Sequence, residues 1–400
     1  MLQATQASMR SFKEHPLDVV IGDIARTDED TSPTLSAPVS VGGEGYLIRY
    51  RCSRGLITDG AETLLIALLL PAMKHGLTIH LASPVSSRLM HSIPAIQDIF
   101  KVWNPEFQKV ALDVSVRESP LPSVAKGVGA FFSGGVDSFY TLLKNQDEIT
   151  ALIFVQGIEK HLADDSVLRS KVTSSIREAA AKLGKPLIEV ETNLRTFSDR
   201  YTSWGEFYHG AGLASVALLL SPQFRKVYIP SSQSYAQLLP WGSHPILDPM
   251  WSTESTEIVH DGCEARRVQK IKFISSNEVV LEHLRVCLSR DGKYNCGKCE
   301  KCLRTMIGLY IAGALEHCRT FHEPLRMGAV ARTFISDRKM RTKMEELLSA
   351  AERWDGDHRL TRALRDSLRG RYYRGVWRLA NAARHRFSRV WRALRVRWSA

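Results

Sequence analysis

The sequence has no apolar run long enough to cross a membrane. Its longest, Leu64 to Met73, is ten residues and includes Pro71, whereas a spanning helix needs about 20. Met1 to Pro16 contains no apolar run of the signal-peptide type. We therefore expect a cytoplasmic protein. The hydrophobic content of 44% is ordinary for a globular chain, and 400 residues are enough for two or three domains.

Acidic residues are absent from Arg369 to Ala400, a segment that contains ten arginines. The net charge of the whole chain is +12, so only +2 remains for the rest. Apolar residues recur there every three or four positions, which predicts an amphipathic basic helix. Its apolar stripe is Trp377, Ala380, Ala383, Phe387, Val390 or Trp391, Leu394 and Trp398. The partners expected for this helix are an anionic membrane surface, nucleic acid or a partner protein, and on a membrane the protein would be peripheral. The alternative is that the stripe packs on the protein's own body.

Cysteine is scarce, with seven in 400 residues, but four fall within sixteen positions. These are Cys287, Cys296, Cys299 and Cys302. Four thiolates at such spacing suit a tetrahedral Zn²⁺ with no open coordination position, hence a structural metal. An iron–sulfur cluster is the alternative, and a disulfide is disfavoured in the cytoplasm. The other cysteines, Cys52, Cys263 and Cys318, are expected to be ordinary small residues, and only Cys263, in an irregular segment, is a candidate for a reactive thiol.

The glycine-rich stretch Val128 to Ser138 lacks the lysine of a Gly-x-x-x-x-Gly-Lys loop. An apolar run, two adjacent glycines and a helix-like pattern nevertheless predict a strand, an anion-binding loop and a helix. The candidate phosphate-binding residues are Ser133, Gly134, Gly135, Val136, Asp137 and Ser138. The serine hydroxyls would donate to phosphate oxygens and Asp137 would hold Mg²⁺, which makes Asp137 and Ser138 the candidate catalytic residues. The alternative is a strand-to-helix turn that merely tolerates glycine.

Strands alternate with helices along most of the chain, which predicts an α/β fold with a doubly wound parallel sheet. Predicted strands are 46–52, 77–81, 107–116, 150–155, 186–191 and 226–230, and predicted helices 59–75, 85–103, 164–183 and 210–220. We divide the chain into a flexible lead-in (1–43), an N-terminal α/β domain (44–118), a linker (119–123), a nucleotide-binding domain with the cysteine motif (124–318), a helical extension (319–368) and the basic tail (369–400).

Residues 238–267 show no clear periodicity but are rich in polar and aromatic side chains. Trp241 and Trp251 are expected to form the wall of a pocket, and the alternative is a surface loop packed on the body. The polar candidates in this segment are His244, Asp248, Glu254, His260, Asp261, Arg266 and Arg267. Two further sets of candidates follow predicted strands, at Gln156–Gly157 and at 231–233.

The Ser-Gly-Gly-Val-Asp-Ser loop resembles the signature of the PP-loop ATP pyrophosphatases. Together with the Cys-x8-Cys-Gly-x-Cys-x2-Cys run about 150 residues later, it is similar to the 7-cyano-7-deazaguanine synthases of queuosine biosynthesis. The resemblance covers Val128 to Gly313. It implies ATP and Mg²⁺ at Ser133 to Ser138, Zn²⁺ on the four cysteines, and release of AMP and pyrophosphate. Those synthases convert a ring carboxylate to an amide and then to a nitrile, using ammonia.

We therefore expect an adenylating ligase that joins a small-molecule carboxylate to ammonia or an amine. One alternative is an enzyme that activates a nucleic-acid base for thiolation, and another is a non-catalytic scaffold of the same fold. Replacement of Asp137 by Ala is expected to abolish turnover and to leave the fold intact.

Overall fold

The computed structural model describes residues 17–27, 32–117, 125–288, 291–354 and 356–370. The chain divides into two compact units, Met1–Arg285 and Val286–Ala400. The predicted linker at 119–123 lies outside the described residues, and the strands before and after it belong to the same unit. Unit 1 therefore contains both the predicted N-terminal domain and the predicted nucleotide loop, and the cysteine motif belongs to unit 2.

One sheet of eleven strands forms the centre of unit 1. The strands are β1 Val19–Ile21, β2 Ala25–Thr27, β3 Thr34–Val41, β4 Glu44–Cys52, β5 Ile79–Val85, β6 Leu112–Val116, β7 Gly127–Phe131, β8 Ala151–Gln156, β9 Leu187–Thr192, β10 Phe224–Pro230 and β11 Glu257–Asp261. Their order is β11-β10-β7-β8-β9-β4-β3-β1-β5-β6, with β2 paired to β3.

The sheet is mixed, which corrects the prediction of a parallel sheet. The five strands from β11 to β9 are parallel, as are β1, β5 and β6. Between these groups, β4 is antiparallel to β9, and β3 is antiparallel to both β4 and β1. Because β4 pairs with β9 through Tyr50 and Thr192, the predicted domains share one set of backbone hydrogen bonds.

The lead-in was expected to be loosely ordered, and the structure corrects this for its described residues. Strands β1, β2 and β3 all lie before residue 44. Along β3, burial alternates so that Leu35, Ala37, Val39 and Val41 face the core. That period of two is the pattern of a strand with one buried face.

The helices of unit 1 flank the sheet. They are α1 Ala61–His75, α2 Ser87–Trp103, α3 Val136–Lys144, α4 Lys160–Ala163, α5 Ser166–Lys182, α6 Leu194–Ser198, α7 His209–Leu219, α8 Arg267–Ile274 and α9 Glu278–His283, with a π-helix at Trp204–Tyr208 and 3₁₀ turns at Tyr235–Gln237 and Asp248–Trp251. Helices α1 and α7 pack on each other. Nearly all residues of both are buried, since their sequences are apolar all round.

The described part of unit 2 is helical. Its helices are α10 Glu300–Ile311, α11 Met327–Ala331, α12 Arg338–Trp354 and α13 His358–Leu368, with a 3₁₀ turn at Leu315–His317. Helix α10 packs on α12, and α13 packs on α11 and α12. Of the predicted tail, all but Arg369 and Gly370 lies outside the described residues. No helix in the described ranges combines the length and apolar content that a membrane crossing requires.

Candidate functional site

The predicted strand, loop and helix are present as β7, residues 132–135 and α3. Gly134 has a φ of 72°, a left-handed conformation that favours glycine. A Cβ added at Gly134 would meet no atom closer than 3.8 Å, so the backbone conformation, and not lack of space, requires glycine there. The N-cap of α3 is Gly135, and no side chain caps the helix. The amides of the first turn therefore remain available to an anion.

The two serines of the loop have different surroundings. The Ser138 hydroxyl is buried; it accepts a hydrogen bond from the Ser133 amide at 3.3 Å and donates one to the Gly135 carbonyl at 3.0 Å. It holds the loop closed on the first turn of α3. Ser133 is exposed, so its hydroxyl faces solvent and is accessible to a ligand. On the other side of the loop, the Arg285 amide donates to the Gly134 carbonyl at 2.8 Å.

Asp137 is held by two cations from α8. Its Oδ2 accepts a hydrogen bond from Arg267 Nη1 at 2.6 Å, and its Oδ1 lies 3.3 Å from Lys270 Nζ. Burial alone would raise the pKa of Asp137, but the positive charges of Arg267 and Lys270 outweigh it and lower the pKa. The carboxylate is therefore ionised at neutral pH. We call Asp137, Arg267 and Lys270 the ionic clasp.

Lys270 is the most enclosed member of the ionic clasp, with a side chain only 2% exposed. Its ammonium also donates to the Ser231 carbonyl at 2.6 Å and lies 5.5 Å from the centroid of the Tyr140 ring. Gly262, with φ 99°, has no side chain to block it, since a Cβ there would lie 3.1 Å from Lys270 Nζ. Because Ser231 follows β10 and Gly262 follows β11, the clasp lies at the carboxyl ends of neighbouring parallel strands.

A second set of ion pairs connects the rest of α3 to the turn after β11. Asp261 accepts hydrogen bonds from Thr141 Oγ1 at 2.7 Å and from Lys144 Nζ at 2.7 Å. Glu264 accepts from Tyr140 at 2.9 Å and from Lys144 at 2.6 Å. These bonds fix the turn that leads into α8, and so they place the cations of the ionic clasp.

The four cysteines in unit 2 form one compact cluster, with all four sulfur atoms within 4.8 Å of one another. Cys287 Sγ lies 3.9 Å from Cys299 Sγ, and Cys296 Sγ lies 3.9 Å from Cys302 Sγ. A Zn–S bond of about 2.3 Å in a tetrahedron places sulfurs about 3.8 Å apart, so the cluster could hold a single metal ion.

The backbone around the cysteines supports this geometry. The amides of Lys298 and Cys299 donate to Cys296 Sγ at 3.4 and 3.2 Å, and Gly297, which follows Cys296, has a φ of 68°. Hydrogen bonds with neighbouring thiols, first of all Cys287, lower the pKa of Cys299 and raise that of Cys302. Four thiols this close cannot all ionise without a cation between them.

Comparisons with protein-family models, with curated proteins and with solved structures find no match for this chain. The resemblance to the 7-cyano-7-deazaguanine synthases therefore rests on the two motifs.

The irregular segment is more ordered than predicted, since it contains the 3₁₀ turn Asp248–Trp251 and strand β11. Trp251 is fully buried in the core of unit 1 and does not line a pocket. Trp241 is half-buried and lies over Gly205. His244 stacks edge-on against Trp103, and Glu254 accepts a hydrogen bond from the Arg88 amide at 2.7 Å. These contacts hold the segment on the body of unit 1, and the prediction that Trp251 forms the wall of a pocket is wrong because the side chain is fully buried.

The most informative residue that sequence reasoning missed is Lys270. It lies in a helix of low hydrophobicity, RVQKIKFI, where a lysine is ordinarily solvent-exposed. Its only sequence signal is its position three residues after Arg267, which places both cations on one face of α8. Gln156, at the end of β8, donates a hydrogen bond to Glu189 on β9 at 2.7 Å and so connects two neighbouring strands of the sheet.

Proposed function

We propose that unit 1 is the ATP-binding part of an adenylating ligase, which activates a carboxylate by forming an acyl-adenylate and pyrophosphate. The observation that carries the proposal is the ionic clasp beside an uncapped helix N-terminus. The turn at Gly134 and Gly135 supplies backbone amides. Arg267 and Lys270 supply positive charge beside it, since both contact Asp137 in the first turn of α3. Backbone amides and fixed cations together favour a polyphosphate.

The residues fit a nucleotide at this loop. The exposed Ser133 hydroxyl and the first-turn amides of α3 would hold phosphate oxygens, and Asp137 is the carboxylate near enough to hold Mg²⁺. Both Asp137 oxygens already face cations, so a bound Mg²⁺ would compete with Arg267 and Lys270 for them. When bound, Mg²⁺ would neutralise charge on the leaving pyrophosphate. The cations of the ionic clasp act in the same direction, since both stabilise negative charge.

The test is the set of products from ATP. The protein is incubated with ATP, Mg²⁺, ammonium and a 7-deazaguanine 7-carboxylate, and AMP, ADP, pyrophosphate and orthophosphate are separated. We expect AMP and pyrophosphate, and a product that carries a new C–N bond. Asp137→Asn should reduce turnover at least tenfold, whereas Asp147→Asn, an exposed carboxylate after α3, should not change it. ADP and orthophosphate as primary products would refute the proposal.

We also propose that the cysteine cluster of unit 2 binds one structural Zn²⁺. Four thiolates leave no open position for substrate. A four-iron cluster would place a different iron behind each thiolate, which spreads the sulfur atoms further apart than the ligands of one ion. Elemental analysis of protein purified without air should give one zinc per chain. Iron with a visible absorption band, or no metal, would contradict the assignment.

A further inference from the structure

A cavity in the described part of unit 2 belongs to neither of the sites above. Its volume of about 430 Å³ lies within the range of about 300–1,000 Å³ that is typical of ligand pockets. It lies where the end of α10, the 3₁₀ turn at Leu315–His317, the start of α11 and the first turn of α13 come together. Its apolar and aromatic lining consists of Tyr310, Leu315, Phe321, Pro324, Leu325 and Met327. The cavity can therefore receive an apolar group.

Two aromatic rings line the cavity, and one of them is fixed in place. Tyr310 donates a hydrogen bond from its hydroxyl to Asp357 Oδ2 at 3.0 Å, and Trp354 packs edge-on against its ring with the centroids 5.5 Å apart. Phe321 is half-buried. Rings of this kind attract a further aromatic side chain and also the guanidinium group of an arginine. The lining therefore favours a ligand that carries aromatic groups, arginines or both.

The exposed part of the lining carries more negative than positive charge when histidine is counted as neutral. Glu316 and Glu323 are exposed carboxylates, and the arginine of the lining, Arg359, is paired with Asp357 at 3.2 Å. Glu323 also pairs with Arg326 at 2.7 Å, but both side chains are exposed and such a pair is weak. The carboxyl-terminal end of α10 adds partial negative charge. The lining therefore favours a cationic occupant.

The part of the basic tail after Gly370, residues 371–400, has the matching composition. It contains nine arginines, three tryptophans and no Asp or Glu. Its apolar stripe and its arginines occupy different positions of the predicted helix, so the stripe can be buried while arginines remain in water. A ligand of the same chemistry from outside would have to compete with a segment of the same chain, whose effective concentration is on the order of millimolar.

The basic tail is also long enough to reach the cavity. Gly370, with a φ of 61°, ends α13 at the opposite end from Arg359. Helix α13 has 11 residues and is therefore about 16 Å long. A second helix of that length running back along α13 covers the same distance, so stripe residues from Ala383 onward reach the cavity. The aromatic residues among them are Phe387, Trp391 and Trp398.

We propose that this cavity is the docking site of the chain's own basic tail. An aromatic side chain of the stripe enters the cavity beside Tyr310 and Phe321, and neighbouring arginines lie against Glu316 and Glu323. Docking buries apolar groups that would otherwise face water, and the lining carboxylates set the direction in which the tail lies. Arginines on the opposite face of the helix stay exposed to an anionic partner. Docking of the tail does not depend on the proposed function of unit 1.

The first test is photo-crosslinking in the full chain. Phe321→p-benzoylphenylalanine places a photoreactive ring in the lining of the cavity, and cross-linked peptides are identified by mass spectrometry after proteolysis. We expect cross-links to residues 383–398, because the photoreactive carbonyl reacts only with neighbouring C–H bonds. Phe273→p-benzoylphenylalanine, at an exposed position on α8, is the matched control and should give no cross-link to the tail. Leu325→p-benzoylphenylalanine repeats the measurement if the Phe321 variant unfolds.

An equal mixture of unlabelled chains and chains labelled with heavy nitrogen shows whose tail is captured. We expect each cross-linked pair of peptides to carry one label only, because the tail belongs to the same chain as the cavity. Pairs that combine both labels would mean that the tail of a second copy occupies the cavity, and they would overturn the proposal. The absence of any cross-link to residues 371–400 would overturn it as well.

The second test measures hydrogen exchange of the tail in the full chain. Amides of residues 383–398 should exchange about tenfold or more slowly than in a synthetic peptide of residues 371–400, since docking protects them. Glu316→Lys combined with Glu323→Lys should restore the rate of the peptide to within about threefold. Glu345→Lys combined with Glu352→Lys makes the same change of charge at exposed positions of α12 outside the cavity and should keep the protection.

Circular dichroism checks that both double variants fold. Tail amides that exchange as fast in the full chain as in the peptide would contradict docking. So would protection that appears only when phosphatidylserine vesicles or single-stranded RNA are added, because the tail would then be ordered by that partner and not by the cavity. Protection that persists in the Glu316, Glu323 variant would show that the tail packs elsewhere, and the proposed site would be wrong.

Discussion

Replacement of Asp137 by Ala should destabilise unit 1 as well as impair its chemistry. The change removes the carboxylate that pairs with Lys270, whose side chain is 2% exposed, and with Arg267, which is 20% exposed. Breaking a buried ion pair by removing one partner costs about 3–5 kcal/mol. We expect about 3 kcal/mol, since Asp137 is 21% exposed and Arg267 reaches water. The sequence-based expectation that the fold would be unaffected did not include these two cations.

The assay is native-state hydrogen exchange of β7, because it reports the opening of unit 1 itself and does not require two-state unfolding of the whole chain. A loss of about 3 kcal/mol corresponds to an exchange rate roughly a hundredfold higher. Asp147→Ala, at an exposed position, is the matched control and should change the rate less than threefold.

The double variant Asp137→Ala, Lys270→Met separates the ion pair from other effects. Because it also removes the buried charge, it should be more stable than Asp137→Ala alone. Additive losses, or a loss below about 1 kcal/mol in Asp137→Ala, would refute the account of the ionic clasp. The pKa of Asp137 is lowered on folding. Its contribution should therefore be complete above the unfolded pKa of about 3.9 and should disappear as the pH falls through the lower folded value.

Three further predictions concern the loop, the metal and the tail. Gly134→Ala and Gly184→Ala, both at positive φ without a clash, should each cost about 1–2 kcal/mol, but only Gly134→Ala should weaken ATP binding, as measured by calorimetry. Cys302→Ser should abolish zinc binding and unfold unit 2 even at low temperature, whereas Cys318→Ser should retain one zinc per chain by elemental analysis. Deletion of Arg369 to Ala400 should abolish sedimentation with anionic vesicles or retention on RNA, and no change in either would refute both partners.

Local features of the site could be predicted because they depend on neighbouring residues. The strand, the glycine turn and the uncapped helix of Gly127 to Lys144 are encoded within eighteen residues. The cysteine cluster is encoded within sixteen, since Cys-x2-Cys spacing lets one ion reach neighbouring sulfurs. Most of the helices and strands that were predicted in unit 1 also have boundaries within a few residues of the observed ones, as expected for periodic segments.

Two of the strands that were missed, β3 and β11, carry weak local signals. Strand β3 contains serine, threonine and Pro38, so its period of two was overlooked in a polar lead-in. Strand β11 has only two apolar residues, Ile258 and Val259. Both strands exist because a partner was already in place: β4 pairs with β3, and β10 pairs with β11. Their stability comes from pairing that no window of local sequence contains.

The charged half of the site could not be read from the sequence for a related reason. Asp137 and Lys270 are 133 positions apart, and they meet only because β7, β10 and β11 are neighbours in the sheet. A buried lysine is costly unless a carboxylate and an acceptor are both present. Lys270 has Asp137 and the Ser231 carbonyl, so the fold maintains a positive charge beside the loop at the expense of stability. Such an arrangement is expected where an anion binds, and it explains why the same carboxylate should matter for both stability and catalysis.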